Sequence, residues 1–230
     1  MDMNLNTQTT QKPKKPVIFH FAVVALCTVL LVTFTIIANI VKDTKVGLDT
    51  VLRQVFVVEP QTFIFELFSI ITWFGSTPGV TIFLIVMFAL LTIKYRDFSG
   101  AFLLVTLVIL TNELNKFLKD FFQRERPSIN SAIEAIGYSF PSGHAMTGLL
   151  AYGLATYLIV TKCKSLTTKY IIGFCGILMI ILLGISRVIL SAHYPTDIIA
   201  GHMMGMTLLI VAIYLNQWLS NIVSNRRLVK

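Results

Sequence analysis

Apolar residues in this chain fall into long runs separated by short polar breaks. Soluble strands and helices would instead alternate or carry a one-faced pattern. Six runs approach the roughly 20 residues that a helix needs to cross hydrocarbon. They are Val17–Val41, Pro78–Ile93, Phe98–Leu118, Ala145–Val160, Tyr170–Leu190 and Ile198–Leu219, the second and fourth being short. Between the first two lies Lys42–Thr77, too long for a hairpin and too polar at Arg53-Gln54 and Glu59-Pro60-Gln61 to cross. Its apolar pieces, such as Phe63–Phe74 with Glu66, suit helices lying at the interface, and Trp73 suits a headgroup-level anchor. The pattern therefore predicts an all-α integral membrane protein: six transmembrane helices, with interfacial helices between the first and second spans. Residues 1–16 are polar and are expected to form a disordered cytoplasmic tail. Residues 17–230 are expected to form one six-span domain.

Composition agrees with the pattern. Hydrophobic residues make up 55% and charged residues 13%, where a soluble domain carries about 25% charged. That excludes a soluble domain, and disorder too, which needs low hydrophobicity and high charge. The run Val17–Val41 is longer than the roughly 7–15 residues of a signal peptide's apolar region and lacks a small-x-small cleavage site. It reads as a retained span. Cys27, Cys163 and Cys175 give neither a disulfide framework nor metal spacing and read as apolar filler.

Charge changes the picture. Nineteen Lys and Arg against eleven Asp and Glu leave a net +8. In an oily chain this does not signal nucleic acid, and no nucleic-acid partner is expected. Lys and Arg in the loops set orientation. With the N-terminus inside, eleven of the nineteen fall on the inner side, so both termini are expected on the cytoplasmic side of the membrane. The other eight, Lys42, Lys45, Arg53, Lys116, Lys119, Arg124, Arg126 and Arg187, fall outside and need a reason.

Charges at the edge of hydrocarbon mark function by default. Three stretches reach the same outer face in the proposed topology. Lys119–Pro127 ends the third span, and Pro141–His144 opens the fourth. Ser186-Arg187 and His193–Asp197 link the fifth to the sixth. Lys119, Arg126 and Arg187 supply three cations, and an Arg fork matches phosphate oxygens. At Pro141-Ser142-Gly143-His144 a helix begins. Its unpaired N–H groups bind anions, Gly143 allows close approach, and the Ser142 hydroxyl adds a donor. This set wants a phosphate dianion. No carboxylate or His cluster at metal spacing accompanies it, so neither metal nor other cofactor is expected. Asp197, four residues after His193, can fix the imidazole tautomer and leave the other nitrogen to attack. His144, at another helix start, can protonate a leaving oxygen. Together they suit two-step phosphoryl transfer through a phosphohistidine.

Each feature alone has a plainer reading. A basic cluster such as Lys116–Arg126 is usually a lipid-headgroup patch. A His beside a Pro at a helix start is usually a capping or packing residue, and Ser-Gly after Pro is a turn signal. Joint placement at one face is what favours chemistry. Asn112, Glu113 and Asn115 either line a substrate path or bond neighbouring helices. Asp120, Arg124 and Glu125 read as loop ion pairs, Gly201 and Gly205 as helix packing, and Tyr138 and Tyr194 as residues flanking a headgroup. The unassigned outer cations Lys42, Lys45, Arg53, Lys116 and Arg124 are expected to draw anionic lipid.

These stretches resemble the signature of the type 2 phosphatidic acid phosphatase superfamily. That signature reads Lys, six residues, Arg-Pro; then Pro-Ser-Gly-His; then Ser-Arg, five residues, His, three residues, Asp. Lys119, Arg126-Pro127, Pro141-Ser142-Gly143-His144, Ser186-Arg187, His193 and Asp197 match it in order and spacing. The resemblance implies His193 as nucleophile, Asp197 as its partner and His144 as general acid. It implies Lys119, Arg126, Ser142, Gly143 and Arg187 as phosphate ligands, with no metal. The short six-span chain is similar to the bacterial membrane branch, the phosphatidylglycerophosphate and undecaprenyl diphosphate phosphatases. The resemblance implies a bacterial plasma-membrane enzyme and supplies three candidate substrates, phosphatidylglycerophosphate, undecaprenyl diphosphate and phosphatidate. Two other readings stand beside hydrolysis: transfer of the phosphoryl group to another acceptor, and a non-catalytic phospholipid-binding or transport protein. Oligomeric state is open.

Overall fold

A computed structural model describes residues 17–43, 47–127 and 137–228. The expected tail at 1–16, Lys45 and the middle of the loop before Pro141 lie outside the described residues. Helices run in the order α1 (Val17–Asp43), α2 (Gly47–Phe56), α3 (Phe63–Trp73), α4 (Thr77–Ala89, continued by a π-helical turn Leu90–Lys94), α5 (Phe98–Phe122), α6 (Gly143–Lys162), α7 (Leu166–Ile189) and α8 (Pro195–Leu228). Among the described residues six helices are long and apolar enough to span a bilayer, namely α1 and α4–α8, with α4 counted through its π turn. The two short helices α2 and α3 occupy the segment expected to lie at the interface. On α3, Phe63, Ile70 and Trp73 are exposed and Phe65 is buried, the one-sided face of an interfacial helix.

Local signals set the helix starts. An N-cap oxygen accepts an orphan first-turn amide. Thr62 does so for α3, Ser76 for α4, Asp97 for α5 and Ser165 for α7. The helices overrun the predicted spans where the polar site residues stand. α5 continues through Lys119 to Phe122, α6 opens at Gly143 rather than Ala145, and α8 opens at Pro195 rather than Ile198. A hydropathy window stops at a charge, whereas backbone hydrogen bonding does not.

α6 is the central post. It packs against α4, α5, α7 and α8, and 56% of its span is buried against 17% for α1. Leu150, Leu154 and Leu158 of α6 meet Leu104 of α5 and Leu183 of α7 in the main core. A Cβ on Gly201 would stand 2.8 Å from the Ser142 carbonyl oxygen, and one on Gly205 would stand 2.8 Å from that of Met146. Only hydrogen at these two positions lets α8 seat against α6, as small residues do between membrane helices. That contact brings the first turns of α6 and α8 together. A second cluster, Phe34, Phe140 and Ala200, ties α1 to the same end of the bundle.

Candidate active site

The three polar stretches meet at that end. Ser142 donates its backbone N–H to the Asp197 carbonyl at 3.1 Å, joining the starts of α6 and α8. Arg187 closes α7, and its carbonyl accepts the N–H groups of Ala192 and His193 at 2.9 and 3.1 Å. The α7–α8 turn is thereby folded over the Arg187 backbone.

His193 is 2% exposed. Its Nε2 lies 3.2 Å from Nη1 of Arg126. A guanidinium has donors only, so Nε2 is the acceptor and Nδ1 carries the hydrogen. Nδ1 faces the Ser139 hydroxyl at 3.3 Å and Oδ2 of Asp197 at 3.5 Å. Burial pushes the His193 imidazole down to about 3, against the pull of the Asp197 carboxylate. The ring is therefore neutral near pH 7, with a lone pair on Nε2.

Asp197 is 0% exposed. Oδ2 accepts from the Ser139 hydroxyl at 2.5 Å and from the Tyr194 N–H at 2.9 Å, while Oδ1 accepts from Arg124. Arg126 is further fixed by donating to the carbonyls of Gly137 at 2.8 Å and Ala192 at 2.7 Å. Lys119, half-buried on the last turn of α5, shares a field with Arg126, Arg187 and Asp197. Arg187 is 5% exposed. One terminal nitrogen donates to Oγ1 of Thr72 at 2.7 Å, while its Nε is buried without a partner.

Ser142 stands at the N-cap of α6, but its hydroxyl makes no capping bond and is buried without a partner. The first turn of α6 thus offers unpaired amides and an unpaired hydroxyl beside cations, which is an anion-binding arrangement. Gly143 belongs to it sterically: a Cβ there would sit 2.8 Å from Oδ1 of Asn115. His144 Nε2 lies 3.1 Å from the Thr72 carbonyl oxygen, which only accepts, so Nε2 carries that hydrogen. Among the described residues no group of three or more His, Cys, Asp or Glu is placed to hold a metal ion.

All eight candidate residues therefore lie at one end of the bundle, with Thr72 joining Arg187 to His144 and Ser139 joining His193 to Asp197. Sequence reasoning missed Thr72 and Ser139, and also Asp49. Asp49, on α2 and 2% exposed, receives Arg124 at 2.7 Å and the Thr196 N–H at 3.0 Å. None of the three carries a local pattern. The reading of Arg124 as an ion-pair residue is met, and its reading as a lipid-drawing cation needs correction. Arg124 does not face lipid, because its side chain is 8% exposed and clamped between Asp49 and Asp197. Arg53, another of the outer cations, donates to the Ser191 hydroxyl at 2.9 Å. The half-buried Tyr194 ring lies beneath Arg124 at 4.1 Å, with Arg53 at 5.6 Å. Of the polar trio on α5, Asn115 bonds the Pro141 carbonyl at 3.2 Å, the inter-helix role, whereas Glu113 pairs with Lys116 on the exposed face.

Comparison with known proteins follows the same outline. Phosphatidylglycerophosphatase B of Bacillus subtilis is 29% identical over 183 residues, covering 78% of this chain and 89% of that protein. Undecaprenyl-diphosphatase of Sulfolobus acidocaldarius is 37% identical over 68 residues, 30% of this chain and 29% of that one. The crystal structure of a transmembrane PAP2-type phosphatidylglycerolphosphate phosphatase from Bacillus subtilis superposes with a TM-score of 0.76 at 24% identity, over 83% of this chain and 96% of that one. The PAP2 superfamily model matches residues 100–221, the stretch that holds every motif residue described above; by that match the chain belongs to the PAP2 superfamily.

Proposed function

We propose that this protein is a membrane lipid phosphatase that works through a phosphohistidine and needs no metal. The observation that carries the reading is His193: neutral, hydrogen-bonded through Nδ1, with its Nε2 lone pair facing the Arg126 guanidinium. A substrate phosphate held by Lys119, Arg126, Arg187, Ser142 and the first amides of α6 would lie against that nitrogen. The Nε2 lone pair forms the N–P bond as the P–O bond to the lipid breaks. The leaving oxygen takes a proton from His144, which enters the step doubly protonated: Nε2–H stays on the Thr72 carbonyl, and the Nδ1 proton is the one delivered, leaving the ring neutral. Water then attacks phosphorus and gives its proton back to His144, while the N–P electrons return to His193. Inorganic phosphate leaves. The cations stabilise charge on the equatorial oxygens throughout.

The substrate reading follows coverage. Similarity to a phosphatidylglycerophosphatase runs over most of both chains, and similarity to an undecaprenyl-diphosphatase over about a third. We take phosphatidylglycerophosphate as the first substrate, hydrolysed at the outer membrane face. The test is turnover of phosphatidylglycerophosphate, undecaprenyl diphosphate and phosphatidate in detergent, with acid-labile phosphoenzyme trapped from labelled lipid. Release of phosphate, fastest from phosphatidylglycerophosphate, with label lost in His193→Ala, is the expected result. Lipid binding without turnover, full activity in His193→Ala, or loss of activity on chelation would overturn the reading. Product carrying the phosphoryl group on an added alcohol would make it a transferase.

A further inference from the structure

Asp49 and Arg124 are buried charges that the phosphoryl-transfer steps above do not use. Asp49 belongs to α2, outside all six spans. Its Oδ2 accepts from Nη2 of Arg124 at 2.7 Å and from Oγ1 of Thr196 at 2.8 Å, and its Oδ1 accepts from the N–H of Thr196 at 3.0 Å. Arg124 in turn donates through Nη1 to Thr196 Oγ1 at 2.9 Å and to Oδ1 of Asp197. Its guanidinium lies over the Tyr194 ring at 4.1 Å. The consequence lies in how the two Asp197 oxygens are divided. Arg124 occupies Oδ1 and leaves Oδ2 to Ser139, Tyr194 N–H and His193. Asp49 fixes the other end of the fork and also caps the first amide of α8, that of Thr196, from a different helix. A carboxylate bound at both oxygens cannot rotate away from the imidazole.

We propose that Asp49 and Arg124 form a positioning pair that holds Asp197, and through it the nucleophile His193, so that α2 is part of the phosphoryl-transfer machinery. The proposal rests on the phosphohistidine reading. Neither residue touches the phosphate ligands Lys119, Ser142 or Arg187 in the structure, so the pair acts on the chemical step and leaves substrate binding alone.

The test uses the full chain in detergent, with Asp49→Asn, Arg124→Gln, Arg124→Lys and the Asp49→Asn/Arg124→Gln double variant. Phosphate release gives kcat and KM, trapped phosphoenzyme gives the active fraction, and thermal melting gives folding. Losing a charge-assisted hydrogen bond predicts a fall in kcat of about 10- to 100-fold for Asp49→Asn and Arg124→Gln, with KM within about threefold. Arg124→Lys should recover part of kcat. The double variant should match the worse single one, because the two act in series. Loss confined to the active fraction with wild-type kcat per active site would mean a merely structural role and would overturn the proposal. So would additive losses, or unchanged kcat. If Asp49→Asn yields no folded protein, the Arg124→Lys and Arg124→Gln pair decides alone, by whether kcat falls per active site with KM unchanged. Wild-type protein that forms no phosphoenzyme on His193 would sink the underlying reading instead, which keeps the two failures apart.

Discussion

Replacing Ser142 with Ala separates binding from architecture. Serine at an N-cap ordinarily contributes about 1 kcal/mol by accepting a first-turn amide. Here the hydroxyl is 0% exposed, makes no capping bond and has no other partner. An unsatisfied buried hydroxyl costs about 1–3 kcal/mol, so its removal should leave the melting temperature unchanged or raise it. Turnover should respond in the opposite sense. A hydroxyl donating to a phosphate oxygen contributes about 1.5–3 kcal/mol. At about 1.4 kcal/mol per decade, kcat/KM should fall roughly 10- to 150-fold. The assay is phosphate release from phosphatidylglycerophosphate in detergent, beside a melt followed by tryptophan fluorescence. A lower melting temperature with unchanged kcat/KM would show that Ser142 is a cap after all and would refute the argument.

Three further outcomes are expected. Arg187→Lys keeps the charge but removes the fork that now spans Thr72 and the unpartnered Nε; kcat/KM should fall at least about tenfold, and wild-type kinetics would count against phosphate contact there. Because burial holds His193 down at about 3 in the folded protein against about 6.5 unfolded, the unfolded chain takes up a proton that the native one refuses. Stability should therefore decline as pH falls from about 6.5 towards 3; His193→Gln should flatten that part of the melting-temperature curve, and parallel curves would contradict the assignment. For orientation, a cysteine at Gln61, in the exposed α2–α3 link, should react with an impermeant thiol reagent in intact cells, and one at Lys164 should not; the reverse pattern would invert the topology.

The spans were legible because a bilayer demands about 20 apolar residues whatever lies around them. Their ends were not, because the candidate site residues are the ones that interrupt the apolar run: Lys119, His144 and Asp197 are helical yet polar. The motif residues were legible because three separate spacings coincide, and six alternating spans bring alternate loops to one face. Asp49 and Thr72 were invisible for a physical reason. They come from α2 and α3, which do not cross the bilayer, so topology says only that they lie near the interface. Which side chain turns inward depends on packing against α7 and α8. Arg124 was visible as a charge, but nothing local told a lipid-facing cation from one clamped between two carboxylates.

That clamp explains how the site carries its surplus charge. Arg124 is matched by Asp49 and Asp197, while among the described residues neither Lys119 nor Arg187 has a carboxylate within ion-pair distance. Two cations so placed make a local excess of positive charge, costly at the edge of hydrocarbon, which a phosphate dianion would relieve. The same field serves the nucleophile. Burial chiefly, with Arg187 and Arg126 adding to it, disfavours the imidazolium form of His193. Asp197 pulls the other way and would favour protonation if it were free to do so. With Arg124 bound to one oxygen and Ser139 and Tyr194 to the other, Asp197 orients the ring while much of its charge is already answered. On the proposed mechanism, the cations that would hold the phosphate also keep the His193 lone pair unprotonated for attack. Removing Arg124 should disturb that balance even though Arg124 does not contact the substrate.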